Sequence, residues 1–366
     1  MKDQRIEKLA KVLVNYSLNI KEDDYLLIRA SDICKPLIKA VYKEAIKKGA
    51  YVDTEIKLSG LEEIFFKEAS EEQLKYVKPY YEYMVEKYTA VLVLLGDYNT
   101  KNLSNVDPEK IKKYSKTLRD INIRFLKRSQ NDLKTCGTQF PTNSSAQEAN
   151  MSLDEYEEFV YNAGLIDEDD PIKEWEKISK KQERICNILN KKNTLYIKSS
   201  DTDLKMNIKG RRWVNSDGKT NFPSGEVYTT PIENSVNGHI RFSYPGIFMG
   251  REIEDIRLEF KDGKVIKATA TKGEDLLHSL LETDEGVKVL GEIAVGTNYG
   301  IDKFTKNMLF DEKLGGTIHA ALGSVPGNTG GKNESGIHWD MLCDMKNGGE
   351  IFADGELIYK DGEFLI

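Results

Sequence analysis

The feature that most constrains the fold is a change in hydrophobic periodicity along the chain. Up to about residue 118, segments with a helical period of 3.6 alternate with short apolar runs that suit strands. From residue 194 onward, short runs of β type are separated by turn signals instead. Alternating strands and helices indicate a parallel α/β sheet, and closely spaced short strands indicate a β-rich domain. The sequence therefore predicts two differently built domains.

The first domain is predicted to cover residues 1–190. Strand-like runs lie at 25–30, 51–57 and 90–95, and helical patterns lie at 5–16, 35–48, about 71–86 and 108–118. This order is typical of an α/β domain with an open parallel sheet. Residues 141–191 are helical in pattern, highly charged and free of strand candidates, so they are interpreted as a helical connector.

The second domain, residues 191–366, is predicted to be a β-rich α+β domain. One helical pattern near 274–281 interrupts its strand-like runs, and Asp-Gly pairs at 354–355 and 361–362 predict a terminal hairpin. Two domains also agree with the length, because 366 residues exceed the roughly 250 to 300 at which one core stops growing.

Composition excludes several classes of protein. The longest apolar run, residues 90–95, is far shorter than the roughly 20 residues of a membrane-spanning helix. The charged N-terminus lacks the apolar segment of a secretory signal, so a cytoplasmic protein is expected. A net charge of −7 without a long basic block argues against nucleic-acid or membrane partners. The four scattered cysteines are interpreted as reduced thiols.

The chain has only four histidines, and two of them lie in one Gly-rich stretch. His319 precedes His338 by 19 residues, and the period of a strand places His338 and Asp340 on one face. Such a set could form part of a divalent metal site, although a purely structural His–Asp pair explains this spacing equally well. His239 and His278 have no acidic or histidine partner at ligand spacing, so they are interpreted as packing or surface residues.

Two glutamates extend this candidate site. Glu226 lies in a Pro- and Gly-bounded loop that leads into a strand-like run, and Glu292 lies in the apolar segment LGEIAVG, where burial is costly without a partner. Two Glu, two His and one Asp can hold two divalent ions about 3.5 to 4 Å apart. Such a site makes a hydroxide from bound water and polarises a carbonyl, so it needs no Ser or Cys nucleophile.

Four segments in the second half resemble the aminopeptidase T / aminopeptidase S family of metallopeptidases. They are NFPSGEVYTTP, LGEIAVGTN, FDEKLGGTIHAALG and NTGGKNESGIHWDM. The upstream segments VNYSLNIKEDDYLLI and FVYNAGLIDEDDPIKEW are also similar to that family, so the resemblance covers nearly the whole chain.

The resemblance implies a two-metal aminopeptidase that acts as a homodimer. The two co-catalytic ions, zinc, cobalt or magnesium, would be held by Glu226, Glu292, His319, His338 and Asp340. A metal-bridging hydroxide would attack the first peptide carbonyl, with Glu226 or Glu292 as the bridging ligand. Ligation of the free α-amine would select peptides with a free N-terminus, so N-acetylated peptides are not expected to be cleaved.

The chain departs from the family at one position. Family members commonly carry a tyrosine seven residues after the first motif histidine, where its hydroxyl would stabilise the reacting carbonyl, and Pro326 stands there in this chain. Proline has no hydroxyl to donate. Tyr299 and Lys332 are the candidate replacements for oxyanion or substrate contact.

Two alternative functions remain open at the level of sequence. His319, His338 and Asp340 alone would make the facial triad of a non-haem iron oxygenase, which would leave both glutamates without a role. Pro326 instead suggests a metal-stabilised dimer that binds peptides but turns them over poorly. Metal stoichiometry and turnover assays would separate these possibilities.

Overall fold

The computed structural model describes residues 3–248 and 250–366. The α-helices there are α1 (Gln4–Val12), α2 (Lys35–Lys47), α3 (Leu61–Glu68), α4 (Glu71–Leu74), α5 (Pro79–Lys87), α6 (Pro108–Thr117), α7 (Arg119–Ser129), α8 (Asn143–Glu148), α9 (Leu153–Ala163), α10 (Pro171–Leu189), α11 (Glu274–Leu281) and α12 (Met308–Asp311). A π-helical turn spans Leu13–Ser17, and 3-10 turns span Asp32–Cys34 and Gly286–Lys288. Within the described ranges, no helix combines the length and apolarity needed to cross a membrane.

The strands fall into two groups along the chain. The first group is β1 (Tyr25–Ser31), β2 (Tyr51–Lys57), β3 (Ala90–Leu95) and β4 (Lys134–Gln139). The second group is β5 (Thr194–Ser199), β6 (Thr202–Asn207), β7 (Val214–Ser216), β8 (Asn221–Phe222), β9 (Glu226–Thr229), β10 (Asn237–Arg241), β11 (Gly246–Phe248), β12 (Arg251–Ile253), β13 (Arg257–Lys261), β14 (Lys264–Thr269), β15 (Leu290–Gly296), β16 (Thr317–Gly323), β17 (His338–Asp344), β18 (Glu350–Ala353), β19 (Glu356–Lys360) and β20 (Glu363–Phe364).

The chain folds as two compact units. The first contains residues 1–172 and 218–222, and the second contains residues 173–217 and 223–366. Helix α10, which the sequence interpretation placed in the connector of the first domain, thus lies almost entirely in the second unit. All five predicted metal ligands lie in the second unit as well.

The first unit is built on a parallel sheet, which confirms the predicted α/β class. Its strand order is β2-β1-β3-β4-β8, and every neighbouring pair is parallel. The apolar runs predicted as strands form β1, β2 and β3. Strand β4 was not predicted, because its sequence KTCGTQ carries little apolar signal, although Cys136, Thr138 and Gln139 are buried in it.

One predicted helix of the first unit is wrong. The helical pattern at about 71–86 forms two separate helices, α4 and α5. Pro79 is the first residue of α5, and Lys78 before it has extended backbone angles (φ −64°, ψ 129°). A proline disfavours helical geometry in the residue that precedes it, so the helix must break there.

The second unit contains two large antiparallel sheets around one core. The eight-stranded sheet has the order β14-β13-β10-β6-β5-β18-β19-β20, and the five-stranded sheet has the order β17-β16-β15-β9-β7. One apolar cluster includes residues of both sheets, among them Ile197, Leu258, Val227, Ile293 and Met341. This arrangement confirms the predicted β-rich α+β class, and α11 is the predicted interrupting helix.

The predicted terminal hairpin is present and gains a third strand. Strands β18, β19 and β20 pair antiparallel in sequence order. The first turn contains Asp354 and Gly355, at φ +50° and +82°, and the second contains Asp361 and Gly362, at +46° and +93°. Positive φ at both turn residues is the geometry that suits the twist of a tight hairpin.

Strand β9 begins immediately after a glycine that no other residue can replace without strain. Gly225 has a φ of +116°, and a Cβ at this position would lie 2.7 Å from the Cβ of Asn298. The Gly225 carbonyl also accepts a hydrogen bond from the Thr297 amide at 2.8 Å. This contact fixes where Glu226 enters the five-stranded sheet.

Gly225→Ala is therefore expected to destabilise the protein by about 2–3 kcal/mol, because it adds a steric clash to backbone strain. The matched control is Gly210→Ala, since Gly210 also has a positive φ (+73°) but a Cβ there would meet no atom within 4 Å. Gly210→Ala should lower the free energy of unfolding by about 1 kcal/mol. Urea unfolding of both variants measures the difference, and equal costs would contradict the proposed close contact.

Candidate metal centre

The five predicted ligands lie on one face of the five-stranded sheet. Strand β9 carries Glu226, β15 carries Glu292, β16 carries His319, and β17 carries His338 and Asp340. Residues that alternate with them face the common core instead, including Val227, Ile293, Ile318, Ala320, Trp339 and Met341. The two-residue period of a strand thus separates the charged face from the apolar face. The predicted placement of His338 and Asp340 on one face is confirmed.

Each of these side chains stands opposite a small residue in at least one neighbouring strand, although His319 also pairs with Leu342 of β17. The register pairs Glu226 with Gly296, His319 with Ala294, Glu292 and Asp340 with Ala321, and His338 with Gly323. Directly paired residues on one face have Cβ atoms about 4.5–5.5 Å apart. Glycine and alanine at these positions leave the space above the sheet to the acidic and imidazole groups.

A bulge in β15 turns Glu292 toward this face. Leu290 pairs with Leu322, and Glu292 pairs with the next residue along, Ala321, so β15 has one extra residue at this point. Without the bulge, Leu290 and Glu292 would lie on the same face. With it, Leu290 packs in the apolar core while Glu292 faces the site.

The polar atoms of neighbouring side chains in the cluster lie close enough to bind the same ion. His319 Nε2 lies 3.4 Å from Glu226 Oε2 and 3.4 Å from Glu292 Oε1. His338 Nε2 lies 3.5 Å from Glu292 Oε2 and 3.5 Å from Asp340 Oδ2. Glu292 therefore contacts one imidazole with each of its oxygens.

The cluster is largely closed to solvent. Glu226, Glu292 and His319 are buried, with 5%, 6% and 1% of their surface exposed. His338 is the most open member, at 34% of its side chain. Its Nδ1 lies 2.7 Å from the Ser324 carbonyl oxygen, a contact that turns Nε2 toward Glu292 and Asp340.

Two neighbouring residues complete the cluster and were not predicted from sequence. Glu312 follows helix α12 and has a carboxylate oxygen within 4.8 Å of ligand atoms of His319 and Asp340. Lys313 is fully buried, lies 3.5 Å from Glu226 Oε1 with its Nζ, and contacts Glu312. The sequence signal that could have indicated them is their position in the segment FDEKLGGTIH, seven and six residues before His319.

Burial and mutual charge shift the protonation of the cluster. Burial raises the pKa of Glu292, against the lowering effect of His319. Burial alone would lower the pKa values of both imidazoles, but the surrounding carboxylates raise the pKa of His319 and bring the pKa of His338 to about 9. Burial alone would raise the pKa of Asp340, but His338, His319 and Lys313 outweigh it and lower that pKa. Without metal, the cluster therefore retains protons that a cation would displace.

The residues present fit a divalent metal centre. The ligand atoms of Glu226, Glu292 and His319 lie within 4.8 Å of one another, and so do those of Glu292, His338 and Asp340. Three buried atoms of the predicted ligands also have no hydrogen-bond partner within the described ranges, namely Glu226 Oε2, His319 Nδ1 and Asp340 Oδ1. Imidazole nitrogens and carboxylate oxygens are suitable ligands for zinc, cobalt and related ions.

The two predicted substrate contacts lie in different settings. The Tyr299 hydroxyl donates a hydrogen bond of 2.8 Å to the Gly362 carbonyl. The backbone amide of Lys332 donates to Glu233 at 2.7 Å, and Lys332 itself is exposed. By contrast, Tyr228 lies two residues after Glu226, on the same face of β9. Burial and the carboxylates of Glu292 and Glu226 raise the pKa of the Tyr228 phenol, so the hydroxyl stays protonated.

The metal-free protein should lose stability as its imidazoles deprotonate. Because the pKa of His338 rises from 6.5 to about 9, its contribution is complete below pH 6.5 and is lost as the pH rises through 9. With chelator present, the wild type should lose about 1–2 kcal/mol more than His338→Gln between pH 6.5 and 9, after allowance for solvent screening. Urea unfolding at several pH values measures this difference, and parallel pH profiles would contradict it.

Known proteins with similar sequences share most of their length with this chain. Aminopeptidase 2 of Geobacillus stearothermophilus is 27% identical over 402 residues, covering 99% of this chain and 95% of the relative. Aminopeptidase AmpS of Bacillus subtilis is 26% identical, with 99% and 98% coverage. Aminopeptidase T of Thermus thermophilus is 27% identical, with 98% and 96% coverage.

Solved structures show the same fold. Wild-type AmpT from Thermus thermophilus matches with a TM-score of 0.87 at 23% identity, and the match covers 99% of both chains. The 2,5-dihydroxypyridine dioxygenase of Pseudomonas putida KT2440 matches with a TM-score of 0.58 at 14% identity, over 98% of this chain and 96% of that one. At these identities the matches establish a shared fold and nothing about chemistry.

A family-wide sequence match settles the membership that the motifs suggested. The thermophilic metalloprotease (M29) family matches residues 2–364. This span includes every residue of the cluster and nearly the whole chain. The chain therefore belongs to the thermophilic metalloprotease (M29) family.

Proposed function

We propose that this protein is a metallo-aminopeptidase that releases N-terminal amino acids from peptides with two divalent ions per subunit. The observation that carries the proposal is the convergence of Glu226, Glu292, His319, His338 and Asp340 into two overlapping ligand triads. The sequence relatives support the peptide substrate, since those described above are all named aminopeptidases. Zinc, cobalt and magnesium are the proposed ions.

Glu292 is the proposed bridging ligand. It belongs to both triads, and its two oxygens face different imidazoles at 3.4 and 3.5 Å. Glu226 belongs to only one of these triads, with His319. These contacts favour Glu292 in the choice between Glu226 and Glu292 that the sequence left open.

When bound, a pair of divalent ions supplies a water of lowered pKa and polarises the scissile carbonyl. The protein's own groups must then move the proton. Glu312 is suited to this role, because its carboxylate lies beside His319 and Asp340 without belonging to either of the two main triads. It can accept a proton from water and return it to the leaving amine.

Tyr228 is the proposed donor to the reacting carbonyl oxygen. Its side chain shares a strand face with Glu226, and the carboxylates of Glu292 and Glu226 act on its phenol. Tyr299, predicted for this role, already donates to the Gly362 carbonyl. A protonated phenol facing the cluster can fill the role for which Pro326 has no hydroxyl.

The two alternative functions gain less support. An iron oxygenase would use His319, His338 and Asp340 and leave Glu226 and Glu292 buried without a role. The likeness to a dioxygenase concerns the fold alone, whereas the family match is to metalloproteases. A weakly active peptide-binding dimer would require that no donor replaces the missing tyrosine, and Tyr228 is available as one.

The remaining features of the proposal follow the family resemblance. We propose a cytoplasmic homodimer that acts on peptides with a free α-amine and has no nucleic-acid or membrane partner. The acidic net charge of −7 agrees with the last point.

Glu226→Gln should remove one of two bound ions and lower kcat by at least about a hundredfold, because an amide cannot replace the charge of a ligating carboxylate. Metal analysis of purified protein, combined with turnover of aminoacyl amides with added cobalt or zinc, measures both effects. N-acetylated substrates should remain uncleaved.

Glu259→Gln is the matched control, because Glu259 is an exposed glutamate on β13 of the eight-stranded sheet. It should retain both ions and full turnover. If Glu226→Gln also keeps two ions and full activity, or if blocked and free peptides are turned over equally, the proposed function is wrong.

Tyr228→Phe should lower kcat about a hundredfold with little change in KM and none in metal content, because one donor to the oxyanion is lost. Steady-state kinetics measure this effect, and Tyr196→Phe is the control, since the Tyr196 hydroxyl bonds to Asp203 on the other sheet. A loss confined to Tyr299→Phe or Lys332→Ala would assign the role to those residues instead.

A further inference from the structure

Lys313 is a charged side chain sealed inside the metal centre. None of its surface is exposed, and it ranks among the largest fully buried side chains in the described ranges. Its ammonium has no hydrogen bond of good geometry to a described residue. A buried ammonium is costly unless opposite charges compensate it. The carboxylates of the cluster therefore compensate the buried charge of Lys313.

The backbone holds Lys313 beside Glu226. Its amide donates to the Phe310 carbonyl at 2.9 Å, and its carbonyl accepts from the Asn298 amide at 3.0 Å. Gly296, which pairs with Glu226, permits this approach, because a Cβ there would lie 2.2 Å from the Leu314 carbonyl oxygen and 3.0 Å from the Lys313 carbonyl carbon. The chain thus brings the lysine to the strand edge nearest Glu226.

The ammonium and His319 contact different oxygens of Glu226. Lys313 Nζ lies 3.5 Å from Oε1, whereas His319 Nε2 lies 3.4 Å from Oε2. Lys313 also contacts Oε1 of Glu312. One cation thus holds one oxygen from each of two glutamates and leaves Oε2 of Glu226 on the side of His319.

The charge of Lys313 acts on the cluster in two opposite ways. Glu226, Glu292, Glu312 and Asp340 crowd four carboxylates into a largely buried space, and among described residues Lys313 is the one lysine or arginine that pairs with any of them. Its ammonium therefore reduces their mutual repulsion when no metal is bound. The same positive charge repels a divalent ion that approaches Glu226.

We propose that Lys313 is a positioning residue that sets the affinities of the two metal sites apart. It holds Glu226 as a ligand through Oε2 alone, and it weakens ion binding at the triad of Glu226, Glu292 and His319. The triad of Glu292, His338 and Asp340 then holds its ion more tightly. This inference rests on the proposed two-metal function.

The test is a stepwise titration of metal-free protein with cobalt, in which binding is monitored by calorimetry and by the visible absorption of bound Co²⁺. Wild type should show two unequal sites. Lys313→Met should lower the dissociation constant of the weaker site at least about tenfold, because a repelling charge is removed. The dissociation constant of the stronger site should change little. The melting temperature of the metal-free protein should fall, because the carboxylates lose a compensating charge. Lys313→Gln should do the same, whereas Lys313→Arg, which keeps the charge, should not tighten the weaker site.

Lys306→Met is the matched control, because it removes a lysine that pairs with Glu252 at 2.7 Å outside the cluster. It should leave both cobalt affinities unchanged. If Lys313→Met does not fold, the comparison of Lys313→Gln with Lys313→Arg decides the question. A weaker site that stays unchanged or loosens in the neutral variants would overturn the inference, even with two ions bound. Wild type that binds fewer than two ions would overturn the proposed function itself.

Discussion

The candidate metal centre depends on the burial of four carboxylates beside two imidazoles and one ammonium. Each charge is tolerated because an opposite charge or a shared proton lies within about 3.5 Å, as between Glu292 and His338 or between Glu226 and Lys313. Removal of one member leaves its partners uncompensated. The cluster therefore acts as a unit, and its members cannot be assigned independent contributions to binding or stability.

The sheet makes this arrangement possible by giving its two faces different tasks. One face supplies the apolar core shared with the larger sheet, and the other carries the proposed ligands. The bulge at β15 is the local exception, since it lets Leu290 join the core while Glu292 faces the other way. Ligands on paired strands hold a more constant geometry than ligands on loops. Only Glu312 and Lys313 enter from a turn.

Sequence periodicity predicted what periodicity can encode. His338 and Asp340 share a strand face through the two-residue period, and the apolar runs of β1 and β3 marked a parallel sheet. Glu292 and His319 were found instead from their residue types, an acid in an apolar segment and a histidine in a Gly-rich stretch. Glu312 and Lys313 follow a four-residue helix, where no period exists and charged residues are usually exposed. Tyr228 was missed because tyrosine is an ordinary strand residue. The helix break before Pro79 is encoded by the proline and not by the apolar period, which continues across it.

The central claim is that one face of the five-stranded sheet holds two ions that share Glu292. Anomalous diffraction from crystals of the cobalt-loaded protein tests it most directly. The account predicts two peaks, one among Glu226, Glu292 and His319 and the other among Glu292, His338 and Asp340. A single peak, or peaks that Glu292 does not touch, would contradict it.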